Sequence, residues 1–252
     1  MAKVFASSMP QAAKSLFEKD NKTVPNTTKI TENVPAKITR PVIVKAKKKS
    51  GSLMSRLNFA KETLPLGDTR VERKMKRALT AFNYSTTQTN RLQRKAAEWF
   101  PVIEPILAAH GIPEDFKYMP LVEYGLKGGT SPKGAAGFWQ FMPGTARSYG
   151  LKINSKVDER KNLRKSTIAA CKYLKDLYSV FDSWTLVAAA YNVGDNHMKK
   201  QIERQNQDNY FKMKLNRETG RYVYKLISMK QIVEYPEKYG YSAPKELLAY
   251  NE

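Results

Sequence analysis

Cysteine is almost missing from this chain: Cys171 is the single one among 252 residues, which excludes an intrachain disulfide. Histidine is nearly as scarce, with only His110 and His197. No Cys/His cluster therefore has the spacing of a zinc site, and neither a metal nor any other cofactor is expected. Cys171 lies in TIAACKYLKDLY, a helical run in which it reads as a small buried hydrophobe rather than a reactive thiol. No uninterrupted apolar stretch approaches the roughly 18 residues needed to cross a bilayer, so no transmembrane segment is expected. The opening MAKVFASSMPQAAKSLF lacks a continuous apolar core, because Ser7, Ser8, Pro10 and Gln11 interrupt it, and no export signal is visible in this numbering. Acids are in short supply too: 23 Asp and Glu face 44 Lys and Arg, a net charge of +21.

That excess calls for an anionic partner or surface. It is concentrated early, since residues 1–100 hold 21 basic and 7 acidic side chains. Residues 1–66 read as a disordered basic tail, with scattered prolines and the run KAKKKSGS at 45–52, too polar to offset the entropy of ordering. The same run has a plainer reading as a solvated stretch. From Asp68 the pattern turns helical, with Val71, Met75, Leu79 and Phe82 on one stripe. Helices are expected next over about 87–99 and 101–111, the latter started by Pro101 and stopped by Gly111. Further on, Ser166 caps a helix running to about Phe181, and Ser183 caps WTLVAAAYN, apolar on all sides and so buried. Helices follow over about 195–205 and from Leu215, where Asn216 is the cap. No strand pattern is convincing. The class is mainly α: a folded unit over 67–240, with packing helices at 68–110, between the tail and a C-terminal tail at 241–252.

Within it, GIPEDFKYMPLVEYG places an acid where a helical stripe should be oily. Ile112, Phe116, Met119, Glu123 and Leu126 recur at spacings of four, three, four and three. A carboxyl on that stripe loses solvation and its pKa rises, which prepares a general acid at neutral pH. The structural reading is a salt-bridged Glu123 or one at the wet end of the stripe. The small-residue loop 125–137 that follows admits a ligand or another backbone, and it ends in GFWQFMP, where aromatics flank Gln140. The buried helix then ends in Tyr191 and Asn192, whose polar groups need a partner or a cavity. Acid, loop and polar helix end together suit the cutting of a sugar polymer. Taken singly, Gln140, Met142 and Tyr191 each read as well as structural residues.

Glu123, SPKGAAGFWQFMPGTA at 131–146 and AAAYNVG at 188–194, in this order, resemble the soluble lytic transglycosylase domain, most closely its lytic murein transglycosylase D branch. VDER at 157–160, STIAACKYLKDLY and LNRETGRYVYKL are similar to the same branch. The resemblance covers about 68–240. It implies a lysozyme-like, mostly helical fold that cleaves the β-1,4 bond between N-acetylmuramic acid and N-acetylglucosamine in peptidoglycan, leaving a 1,6-anhydro end.

By the same resemblance Glu123 is the single acid and base. Ser131 borders the groove, Gln140 and Met142 contact the sugars, Tyr191 lies beside the acid and Asn192 supports the loop. Tyr124 departs from the family, which commonly has Ser there; a phenol at that point narrows the groove or replaces the serine's hydrogen bond. No second carboxylate is an obvious partner among Glu114, Asp115, Asp158 and Asp182. The implied setting is the bacterial cell envelope, in the periplasm, with the basic tail drawn to anionic envelope surfaces. Three rivals stand beside this reading: a goose-type muramidase using water, a silent peptidoglycan-binding module, and a nucleic-acid binder argued from charge alone. For the last, the folded region offers no recognisable nucleic-acid motif.

Overall fold

The computed structural model describes residues 53–87, 90–125 and 129–242. The expected tail up to residue 52, Leu126, and residues 243–252 lie outside the described residues. The folded unit begins earlier than the composition change at Asp68 suggests. Leu57, Phe59 and Leu64 are buried in the core, carried by a small hairpin of β1 (Asn58–Phe59) and β2 (Glu62–Thr63). Its loop residues Ala60 and Lys61 both have positive φ, the geometry of a tight two-residue hairpin turn that glycine or asparagine usually supplies. Asp115 holds that turn by accepting the Ala60 N–H at 2.6 Å. Glu62, one residue past the turn, accepts from the backbone N–H of Trp184 and Thr185. The expected tail's last residues therefore stabilise the start of a core helix with a carboxylate. At the other end Tyr241 is also buried, its hydroxyl 2.7 Å from that of Thr87, so the fold extends past residue 240.

The main helices are α1 (Thr69–Phe82), α2 (Arg91–Ala109), α3 (Pro143–Ser148), α4 (Leu163–Phe181), α5 (Trp184–Val193), α6 (Asp195–Gln205) and α7 (Thr219–Glu234). Where the periodicity suggests two helices between residues 87 and 111, one helix runs through both Pro101 and Pro105. Each proline removes a backbone donor and disfavours an interior helical position by ~3 kcal/mol. Against that, Leu92, Ala96, Trp99, Phe100, Ile103, Ile106 and Leu107 all lie buried on one face. Seven such side chains at about 1.5–3 kcal/mol for each large one outweigh two prolines. The cap of α4 is Asn162, whose side chain accepts from Lys165 N–H. Ser166 sits one turn in, its Oγ bonded back to the Asn162 carbonyl at 2.6 Å.

α5 is the centre. Every residue from Thr185 to Ala190 is buried, and α4, α6 and α7 all pack on it. Its three consecutive alanines let neighbours approach on several sides. Ser183 caps it as expected, and Asn216 accepts from Glu218 and Thr219 N–H at the entry to α7. α2 lies on α4, and α1 lies on α7. The result is mainly α, with the hairpin as its regular sheet among the described residues.

Candidate active site

The segment before Glu123 is helical but not uniformly α. Residues Glu114–Tyr118 form a tight 3-10 turn and Leu121–Gly125 a wide π turn. Pro120 is the reason: it has no N–H to give the Phe116 carbonyl, which accepts instead from Met119. The backbone tightens before the proline and widens after it, and such π turns recur at functional sites. Ile112, Phe116 and Met119 are buried as the stripe requires. Glu123 follows them inward from the π turn.

Its carboxyl meets α7. Tyr222 donates its hydroxyl to Glu123 Oε1 at 2.5 Å. Burial pushes the Glu123 pKa above the ordinary carboxylate value; the Tyr222 hydrogen bond and the charge of Lys225 partly counter this, and the charge of Glu218 adds to it. The residue still keeps some surface open. A carboxyl buried on most sides but partly exposed loses bulk water while staying reachable. Burial also holds the hydroxyls of Tyr222 and Tyr191 far above their usual range, with the Glu123 charge contributing to both. Both therefore stay protonated, and Tyr222 can only donate to an ionised Glu123.

The wall beside the acid is built by the loop 129–141. Ser131 folds its start: its N–H donates to the Ala135 carbonyl at 2.7 Å and its Oγ accepts the Ala135 N–H at 3.0 Å. Ala136 and Phe141 then pair as an antiparallel bridge around a tight turn in which Gln140 N–H donates to the Gly137 carbonyl at 3.1 Å. Gly137 and Gln140 both have positive φ. Gln140 holds its own turn, with Nε2 donating to the carbonyls of Gly137 at 2.8 Å and Gly129 at 3.2 Å. Trp139 is fully buried and donates from Nε1 to Thr167 on α4 at 2.9 Å. Tyr191 at the end of α5 donates to the Trp139 carbonyl at 2.8 Å, which links the acid's neighbourhood to the tip of the loop.

Arg160 locks this wall from behind. The guanidinium donates to the carbonyls of Gly134 and Phe141 at 2.8 and 3.0 Å and forks onto Asp158. The Arg160 backbone passes so close to Gly137 that a Cβ there would sit 1.9 Å from the Arg160 carbonyl oxygen. Asp158 is held below its usual pKa first by that guanidinium. The VDER segment thus acts as a clamp, a role its resemblance alone did not assign.

The remaining expected site residues fall into three places. Met142 is 44% exposed at the cap of α3, an apolar side chain open to a ligand. Tyr124 turns its ring into an aromatic cluster, 5.6 Å from Phe138 and 6.1 Å from Trp99 between ring centroids. Asn192 accepts from Thr219 Oγ1 at 3.0 Å and reaches Glu218 at 3.4 Å; it fastens α5 to the start of α7, not to the loop. Tyr222 was missed because its period places it in the core of α7, where a tyrosine needs no special reading. The four acids weighed as partners are elsewhere: Asp115 pairs with Lys230, Glu114 with Lys117 and Asp158 with Arg160, while Asp182 ends α4. Glu218, whose charge does reach Glu123, is exposed. Among the described residues no group of three or more His, Cys, Asp or Glu could hold a metal ion.

Residues 123–214, from the acid through α6, match the transglycosylase SLT domain. Over 139 residues, 53% of this chain, it is 34% identical to membrane-bound lytic murein transglycosylase D of Escherichia coli (strain K12) and equally to that of Escherichia coli O6:H1 (strain CFT073). It spans 31% of the length of those relatives. A crystal structure of an inactive mutant of lytic transglycosylase Slt from Pseudomonas aeruginosa aligns with a TM-score of 0.43 and 18% identity, covering 70% of this chain and 34% of that one. The SLT segment opens at Glu123 and contains the loop, its clamp and α5. Tyr222 lies beyond its last matched residue, so the hydrogen bond to the acid comes from outside the family's matched segment.

Proposed function

We propose that this protein is a peptidoglycan lytic transglycosylase with Glu123 as its single acid and base. The observation that carries the reading is the Glu123 carboxyl itself: reachable, stripped of water on most sides, and raised in pKa. Such a group holds its proton to higher pH than an ordinary carboxyl and can give it to the glycosidic oxygen as the bond from C1 of N-acetylmuramic acid breaks. The resulting carboxylate then takes the proton from the same sugar's C6 hydroxyl as that oxygen bonds to C1. The products are a free hydroxyl on N-acetylglucosamine and a 1,6-anhydro ring, and no water is consumed.

The names of the two Escherichia coli relatives support this substrate. Met142 offers an apolar face to a sugar ring. Gln140 keeps its Oε1 free of partners among the described residues, available to accept from a hydroxyl or an N-acetyl N–H. Ser131 shapes the wall, and Tyr191 and Asn192 hold the floor. Tyr124 contributes packing to the wall through Phe138. The site of action on this reading is the bacterial envelope, on the periplasmic side. The net positive first hundred residues support attraction to anionic envelope polymers; removing residues 2–52, which spares the hairpin, is expected to weaken low-salt binding to purified sacculi.

The test is mass spectrometry of soluble products from purified sacculi treated with the wild-type chain and with Glu123→Gln. Anhydro-muropeptides from the former and none from the latter are expected. Reducing muramic ends would overturn the reaction in favour of hydrolysis and make Glu218 the candidate to activate water. Binding without any release would leave a glycan-binding module.

A further inference from the structure

α1 and α7 lie side by side, and their seam holds a pocket of about 250 Å3. Four cations line it: Lys74 and Arg77 from α1, Arg221 and Lys225 from α7. Spacings of three and four put each pair on one helical face, and the two faces meet at the seam. The floor between them is apolar, formed by Ala78, Ala81 and the ring of Phe82. Arg77 and Arg221 are exposed at the rim, while Lys74 and Lys225 are half-buried.

Among the described residues these charges have little to neutralise them: the Lys225 charge reaches Glu123, at a distance outside any ion pair. No acid among the described residues lines the pocket, and none of the four cations forms an ion pair with one. Lys74 gives one hydrogen bond, to the Gly220 carbonyl at 3.3 Å. The acid whose charge reaches Lys74 is Asp68, already engaged with Arg70 at 3.5 Å. Burial first, and then the charges of Arg70 and Arg221, make Lys74 a weaker base than usual. Four like charges gathered round an oily floor repel one another, and an anion with an apolar body relieves the repulsion and covers the floor together. A purely apolar ligand would leave the cations uncompensated, and a bare inorganic anion would leave the floor wet.

We propose that the seam between α1 and α7 is a binding site for a small anionic amphiphile, with a carboxylate or phosphate head held by the four cations and a short apolar chain laid on Ala78, Ala81 and Phe82. The volume is below the range of drug-sized ligands, which limits the chain to a short one. The proposal does not depend on the sugar-cutting chemistry proposed for Glu123, although Lys225 is common to both neighbourhoods, its charge reaching the Glu123 carboxyl.

The test is calorimetric titration of the full chain, without glycan, using octanoate, octyl phosphate and the neutral octanol, on the wild type and on Glu123→Gln. Binding of either anion to both proteins with no matching binding of octanol is expected, and which anion binds identifies the head group. The rim variant Arg77→Ala with Arg221→Ala is expected to keep its melting temperature and lose roughly tenfold or more in affinity, as for loss of charge-assisted hydrogen bonds. Ala78→Trp, which fills the floor, is expected to abolish binding. Failure of both anions to bind, octanol binding as well as they do, or an unchanged affinity in the rim variant would each overturn the proposal.

Discussion

Gly137→Ala isolates how the loop 129–141 is held. The added Cβ would lie 1.9 Å from the Arg160 carbonyl oxygen and 2.4 Å from its carbon, distances that only a backbone shift can relieve. Left-handed backbone at φ +77° adds about 1–2 kcal/mol for a residue with a Cβ. Moving the Arg160 backbone pulls its guanidinium from two carbonyls, each hydrogen bond to a charged group being worth ~1.5–3 kcal/mol. If one of the two is lost, the total is about 2.5–5 kcal/mol. For a folded unit of this size that is a fall in melting temperature of roughly 10 °C. Gly134→Ala is the matched control: same loop, φ +86°, but nothing within 4 Å of the new Cβ, so about 1–2 kcal/mol is expected. Thermal and urea unfolding of both variants decides it. Equal losses would mean that the contact with Arg160 is not what fixes the loop, and the clamp would have to be abandoned.

Tyr222→Phe removes the donor that favours the ionised form of Glu123, so the acid's pKa rises further and the alkaline limb of the pH–rate profile moves to higher pH; a limb that stays put or moves down would show that Tyr222 does not bond to the acid in solution. Glu123→Gln should stabilise the protein near neutral pH. The native carboxyl binds its proton more tightly than the unfolded one, so between about pH 4.5 and its higher folded pKa stability falls as pH rises, and the variant is free of that loss. Its advantage in melting temperature is expected at pH 7 and should vanish below about pH 4; the opposite trend would contradict a raised pKa. The Cys171 thiol is buried and its pKa is pushed up to about 12, so an alkylating reagent at pH 8 is expected to label it only after the fold is opened with denaturant.

The parts of this molecule that were legible in the sequence are those where one local signal decides. Ser183 precedes an all-apolar run, and α5 is capped and buried as that pattern requires. Glu123 interrupts an oily stripe, and the fold desolvates its carboxyl. The unread parts depend on contacts distant in sequence. The hairpin 58–63 has no glycine or asparagine at its turn because Asp115 holds it from elsewhere. The continuity of α2 through two prolines is set by what its buried face touches, which a single helix's pattern does not reveal. Asn162 outcompetes Ser166 as a cap because helical φ/ψ starts a turn earlier. Tyr222 and Arg160 act on residues ninety-nine and twenty-six or fewer positions away, and nothing in their own neighbourhoods announces it.

The π turn at Leu121–Gly125 is an α-helix with one residue too many. The direction in which Glu123 points is therefore set by a count of residues, not only by their identities. Taking out one residue there would let the turn relax to α geometry and swing the carboxyl about a hundred degrees round the axis, away from Tyr222. A change of side chain at Val122 or Tyr124 leaves that count untouched, whereas a single deletion in this turn is expected to turn the acid aside while leaving the helices around it in place.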